Sequence, residues 1–205
     1  MKYCTLISSL LGIAGVFSAP LYPTAPYANS TGHLTGQTQY QGFILPSIVK
    51  NHDINSNLNT RSSQAVTSRA VNSETSSLFE IPIPANLTGK SCHLVISADV
   101  ASNGDAVSGS QAMDIFSTNI VDLVSMRQGN LRNIQQARMR FNTTSGLYTF
   151  DETILAPRLK DFPCPAGTQL ELESVAVGDY DINNIRQDFI YNGQKEPNGL
   201  SIGYN

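Results

Sequence analysis

The nine residues Cys92-His-Leu-Val-Ile-Ser-Ala-Asp-Val100 place Cys92, Leu94, Ile96, Ala98 and Val100 on one face of an extended chain, with His93, Ser97 and Asp99 on the other. A period of two belongs to a β-strand, whose successive side chains point to opposite sides. The stretch predicts a half-buried strand with an apolar inner face.

Working outward, the chain from about Leu78 onward consists of short apolar runs broken by Gly, Pro, Asn and Asp, the pattern of antiparallel sheets. Arg138-Met-Arg-Phe-Asn142, Thr-Thr-Ser-Gly146 and Leu147-Tyr-Thr-Phe150 predict a hairpin with Met139 and Phe141 inward. Gln169 to Val177 alternates through Leu170 and Leu172, then changes phase to Val175 and Val177, which predicts a bulge near Ser174. Gly178-Asp179 reads as the following turn, and segments 181–191 and 199–204 as the last strands. Leu131, Ile134 and Ala137 recur at helical spacing and suggest one short helix within 127–137, against the weak propensity of Gly129 and its neighbours. Residues 77–205 together fit one all-β domain, an antiparallel β-sandwich of jelly-roll type.

Upstream the composition changes. Segment 51–77 is dominated by Asn, Ser, Thr and Gln and offers little to bury, so residues 19–76 read as a flexible, low-complexity arm and linker. Within it, Phe43-Ile-Leu-Pro-Ser-Ile-Val49 is either a short strand packed on the domain or an apolar spot in the arm. Residues 1–18 have one early positive charge, an apolar run from Leu6 to Phe17 and small Ser18 at the exit, as a cleaved signal peptide requires. No later stretch has the roughly 20 apolar residues of a membrane span, and no lipid-anchor tail follows Gly199. The sequence therefore predicts secretion without a membrane anchor. Asn29-Ser-Thr31, Asn86-Leu-Thr88 and Asn142-Thr-Thr144 are N-glycosylation sequons, expected on exposed turns. Past the signal, Cys92 and Cys164 remain, an even count for an oxidising route; a disulfide is expected, with two buried free thiols as the alternative.

Three further segments carry a resemblance. Leu78-Phe-Glu-Ile-Pro-Ile-Pro84 leads to Gly89-Lys-Ser-Cys-His-Leu94; Asp114-Ile-Phe-Ser117 follows; Phe162-Pro-Cys-Pro-Ala-Gly-Thr168 leads to Val175-Ala-Val-Gly-Asp-Tyr-Asp-Ile182. These resemble the C-terminal domain of the fungal But-two family, the "ubiquitin 3 binding protein" domain, over residues 77–205. The resemblance implies a mostly β domain in which Cys92 and Cys164 are bridged. The family's name implies an intracellular partner in a ubiquitin-like pathway, but a signal peptide and sequons route this chain elsewhere, and that activity is not carried over. Where the family pattern has an aromatic before the Gln-Asp pair, Ile185-Arg186 stands here.

Candidate chemistry is sparse. Glu171 and Glu173 share a face of one strand, and a glycosidase needs two carboxyls about 5 to 10 Å apart; solvent-facing glutamates on a strand are the ordinary alternative. Asp179, Asp181 and Asp188 could surround calcium, or Asp179 and Asp181 could simply stabilise their own turn. Of His33, His52 and His93, the first two fall in the arm, and His93 with Asp99 lacks a nucleophile elbow. Arg127, Arg132, Arg138 and Arg140 are a solvated face or a patch for sulfated or phosphorylated glycans. Tyr148, Tyr180 and Tyr191, with Asp179 and Asp181, are the candidate ligand contacts, although the chain has no tryptophan. A net charge of −3 argues against nucleic acid as a partner. The expectation is a secreted, non-catalytic glycoprotein without cofactor or metal. Its partner would be a wall polysaccharide or another extracellular protein, with a carbohydrate-binding module and a glycoside hydrolase as alternatives.

Overall fold

The computed structural model describes residues 39–205 except 102, 103, 188, 189, 192, 193 and 196. The signal-peptide reading, Asn29 and His33 lie outside the described residues. The first strands are β1 (Gly42–Ile44), β2 (Ile48–Asp53), β3 (Leu58–Arg61), β4 (Gln64–Ala70) and β5 (Ser73–Pro82). A 3-10 turn, Ala85–Leu87, leads to β6 (Ser91–Ser97), β7 (Ala106–Ser108), β8 (Ala112–Thr118), β9 (Arg132–Asn142) and β10 (Leu147–Phe150). The rest are β11 (Phe162–Pro163), β12 (Gln169–Ala176), β13 (Ile182–Arg186), β14 (Ile190–Tyr191), β15 (Gln194–Lys195) and β16 (Gly199–Tyr204).

All described pairings are antiparallel. The main sheet runs β1-β16-β6-β10-β9-β8-β12-β5-β4-β13-β7, with β11 beside β6 and the β2–β3 pair beside β5. It curls until its two ends share one core, in which Leu94, Ile96, Leu200 and Ile202 pack in the same cluster as Ala65 and Ile185. A side-chain bond crosses that core: Tyr148 Oη on β10 donates to Asn183 Oδ1 on β13 at 2.7 Å. The all-β antiparallel reading holds, and the hairpin falls where the alternation put it, with Leu147 opposite Asn142 and Phe150 opposite Met139.

Four expectations are corrected. First, the supposed arm joins the sheet from Gly42, because its polar residues are satisfied by hydrogen bonds instead of solvent. The Asn51 side chain donates to Gln64 O at 3.0 Å and accepts from Val66 N and Ser77 Oγ, standing in for a strand residue beside β4. The buried Thr67 and Ser174 hydroxyls bond each other at 2.6 Å. The Phe43–Val49 patch is strand too, with Ile44, Ile48 and Val49 buried.

Second, segment 127–137 is no helix. Leu131 has φ of 46°, outside right-handed helix space, and Leu131 and Ile134 are about half exposed, so no apolar stripe faces the core. From Arg132 the chain is strand, and the apparent helical spacing coincides with register shifts against β8 between Ile115 and Thr118. Third, β12 keeps an unbroken register against both β5 and β8, with no bulge at Ser174. Its pattern changes phase because both faces are buried there: Leu172 and Ala176 inward, Glu173 and Val175 outward. Fourth, β6 is likewise buried on both faces, with Val95 and Ser97 as enclosed as Leu94 and Ile96, while Val100 lies beyond its end and is exposed.

The outer face of β2, β5 and β12 owes its burial to the β8–β9 connection, residues 119–131, which crosses it as a strap. Ile120, Leu123 and Met126 pack on Ile48 and Leu78. Lys50 Nζ donates to Val124 O and Met126 O at 2.9 and 2.8 Å, and Asn59 Nδ2 to Gly129 O at 2.8 Å. These bonds add to the one backbone bridge the strap makes with β3, between Leu58 and Gln128, and serve carbonyls that this bridge leaves over.

Candidate functional site

Glu171 and Glu173 project from β12 under this strap, not into solvent. Glu173 is fully enclosed: Arg132 Nε and Nη2 donate to it at 2.8 and 2.9 Å and Asn130 Nδ2 at 2.9 Å. Arg132 also lies 5.0 Å over the Phe116 ring and is held above its ordinary pKa, chiefly by the bond to Glu173. Glu171 is different. Both its carboxyl oxygens are shut off from solvent without a hydrogen-bond partner. Burial first, then the charges of Glu80 and Asp122, push its carboxyl up to about 8. Neither glutamate offers a carboxyl to a sugar in this arrangement, which corrects the solvent-facing expectation for both.

The Gly178–Asp181 turn behaves as a self-stabilised turn. Asp181 is buried and accepts from Gly178 N at 2.6 Å, Ser110 N at 2.5 Å and Ser110 Oγ, tying this turn to the β7–β8 connection. Burial alone would raise its carboxyl, but the bonds from Ser110, Gly178 and Val177 outweigh it and hold the group below the usual range. A Cβ on Gly109 or Gly178 would collide with this carboxylate, so glycine is required at both for close approach. Asp179 and Tyr180 are exposed, Tyr180 at 68 %. Tyr148 is not: it is buried on β10, and burial pushes its phenol well above the usual range. That removes it as a ligand contact. Tyr191 lies on β14, its side chain outside the described residues, as is the structure at Asp188.

The arginine concentration is largely neutralised. Arg138 pairs with Asp114 at 2.7 Å, Arg140 with Asp151 at 2.6 Å and Arg132 with Glu173, so three of the four candidates are bound to carboxylates from other strands or turns. His93 Nδ1 lies 3.0 Å from Asp161 Oδ1 and its ring packs near Tyr40 and Phe150, away from any pairing with Asp99. His52, expected in the arm, is buried on β2 against Asn59 Oδ1 at 2.7 Å.

Cys92 and Cys164 are joined, the bond fastening the residue after β11 to fully buried Cys92 on β6. Beside them, Phe162 pairs with Cys92 and Cys164 N donates to Lys90 O at 3.0 Å. Asn86 in the 3-10 turn and Asn142 at the hairpin turn are both exposed, and Asn142 Oδ1 accepts from Thr144 N at 2.9 Å. A hollow of about 310 Å³, missed by the sequence reading, opens beside the β3–β4 turn, where Arg61, Ser62 and Ser63 meet Ser47 and Gln187. Its lining comes from three separate stretches, 46–49, 61–63 and Gln187, so no local pattern announces it. Among the described residues no cluster of three metal-ligating side chains forms, and no helix is long and apolar enough to cross a membrane.

The fold and these sites define an all-β antiparallel protein with one disulfide and an internally paired charge set. Comparison with protein families, with characterised proteins and with solved structures finds no match to this chain.

Proposed function

We propose that the chain is a secreted, non-catalytic glycoprotein acting outside the cell or in the cell wall, as a structural or interaction protein of the kind its resemblance to the fungal But-two domain suggests. The observation that carries this reading is the Cys92–Cys164 bond, built between β6 and the end of β11 with Cys92 wholly enclosed. Such bonds persist in oxidising compartments. The signal-like residues 1–18 and the exposed Asn86 and Asn142 agree with it. The acids that a hydrolase would need are engaged or sealed: Glu173 by Arg132, Asp181 by its turn, Glu171 beneath the strap.

Mass spectrometry of the protein from culture medium, unreduced and before and after deglycosylation, tests the reading in one measurement. The expected result is a chain starting at Ala19, two hydrogens lighter than the dithiol form, with glycan on Asn29, Asn86 and Asn142. Retention inside the cell as a full-length, unglycosylated chain, or turnover of wall polysaccharides or proteins by the pure protein, refutes it. A second reading, carbohydrate binding, rests on Tyr180, which stands 68 % exposed on the turn after β12. Sugar faces pack on such rings, and equal retention of wild type and Tyr180→Ala on insoluble chitin, glucan and mannan removes that reading.

A further inference from the structure

Beneath the strap, two acids face each other. Glu171 and Glu80 are directly opposite in the β12–β5 register, a position that sets Cβ atoms about 5 Å apart. Glu80 accepts from Ser47 Oγ at 3.0 Å, while the Glu171 oxygens are closed off and unbonded. Arg61 on β3 and Arg127 in the strap lie within electrostatic reach of Lys50, and other charges turned toward this face are committed. Lys50 holds the strap carbonyls of Val124 and Met126, and Arg132 with Asn130 binds Glu173. Asp122 in the strap accepts from Val124 N and from Ser125 N and Oγ. His52 bonds Asn59, which in turn holds Gly129 of the strap. A carboxylate at 171 would stand beside Glu80 with no donor of its own, a costly state in a closed site.

We propose that Glu171 is a protonation latch for the strap: as the neutral acid it lets residues 119–131 seat on the β2–β5–β12 face, and its ionisation with rising pH loosens them and uncovers Ile48 and Leu78. An opened strap exposes Glu171 to water, where glutamate ionises near about 4.3; closed, it holds its proton to about 8. Opening therefore releases a proton between those values. Across that window the open fraction grows by up to about tenfold per pH unit, then levels off above it. Asp122 has the opposite preference and, held low chiefly by Ser125, titrates below the window. The strap is tight in acid and loose in neutral to mildly alkaline surroundings.

Hydrogen exchange read by mass spectrometry on the intact, disulfide-bonded protein from pH 5 to 9, corrected for intrinsic rates, tests the latch. Protection of 119–131 should fall at least about tenfold between pH 5 and 8 and then flatten, with β6 and β16 changing far less. Glu171→Gln, neutral at every pH, should abolish the slope, and Glu80→Gln should move its end to lower pH. Constant protection in the wild type overturns the proposal, and so does a slope that survives in Glu171→Gln. A slope removed only by His52→Gln belongs to that imidazole and overturns it too. If Glu171→Gln does not fold, carbon-detected NMR titration of the wild-type glutamates decides: a Glu171 midpoint above about 6 upholds the latch, and one near about 4.3 ends it.

Discussion

Replacing both cysteines with alanine isolates what the Cys92–Cys164 bond does. The two lie 72 residues apart, and closing a loop of that length removes entropy from the unfolded chain equivalent to about 4 kcal/mol. Cys92 has no exposed surface, so deleting its sulfur adds roughly 1 kcal/mol for lost packing. A total near about 5 kcal/mol approaches the whole stability of a marginal domain and corresponds to a fall in Tm of roughly 10 °C or more at this size. Guanidinium unfolding followed by circular dichroism, comparing Cys92→Ala/Cys164→Ala with the oxidised wild type, gives both the free energy and the slope. The slope should steepen in the variant, because an uncrosslinked chain exposes more surface when unfolded. A loss below about 1 kcal/mol with an unchanged slope would show that the loop is not constraining the unfolded ensemble, and the entropic account would fail.

Two other substitutions probe the buried polar network. Asp181→Asn keeps the turn's shape but weakens the bonds from Gly178, Ser110 and Val177, and should cost roughly 1.5–3 kcal/mol at pH 7. Since the Asp181 pKa lies below its unfolded value, its contribution is present above about pH 4 and is lost as pH falls through the folded pKa; acid unfolding curves of variant and wild type should converge once the pH is below that folded pKa. Tyr148→Phe leaves Asn183 Oδ1 without the donor it has at 2.7 Å; a loss of about 1 kcal/mol in chemical unfolding, with wall-polysaccharide binding unchanged, is the expected outcome, and impaired binding at full stability would return Tyr148 to the ligand surface.

What the sequence disclosed and what it hid divide along a physical line. Strands that alternate against one apolar core, such as the inner face of β6 or the β9–β10 hairpin, are visible because local pattern and tertiary environment agree. Strands buried through polar side chains are not. Asn51, Thr67 and Ser77 look like a linker in one dimension, since their partners lie on other strands. The helical spacing of Leu131, Ile134 and Ala137 misleads for the complementary reason: only Ala137 meets the core. At the candidate sites, residue type was legible and environment was not. Glu171 and Glu173 share a strand face as the period of two requires, yet a segment some 40 residues away in sequence, the strap anchored by Arg132, decides that one is ion-paired and the other is a sealed acid. Tyr148 shows the same blindness, since nothing local distinguishes it from exposed Tyr180.

The placement of β16 bears on how the chain is made. It is the last strand in chain order, yet it lies between β1 and β6, pairing Gly42–Ile44 on one edge and residues 92–97 on the other. During vectorial synthesis both of those neighbours emerge long before it, so the sheet stands open at that seat until residues 199–204 have emerged. Cys92 and Cys164 both precede β16, so oxidation can fasten the rest of the sheet while the seat is vacant. Deleting residues 199–205 would then leave a crosslinked chain with β1 unpaired, one edge of β6 bare, and Leu94 and Ile96 short of Leu200 and Ile202, a species inclined to recruit its missing strand from another molecule.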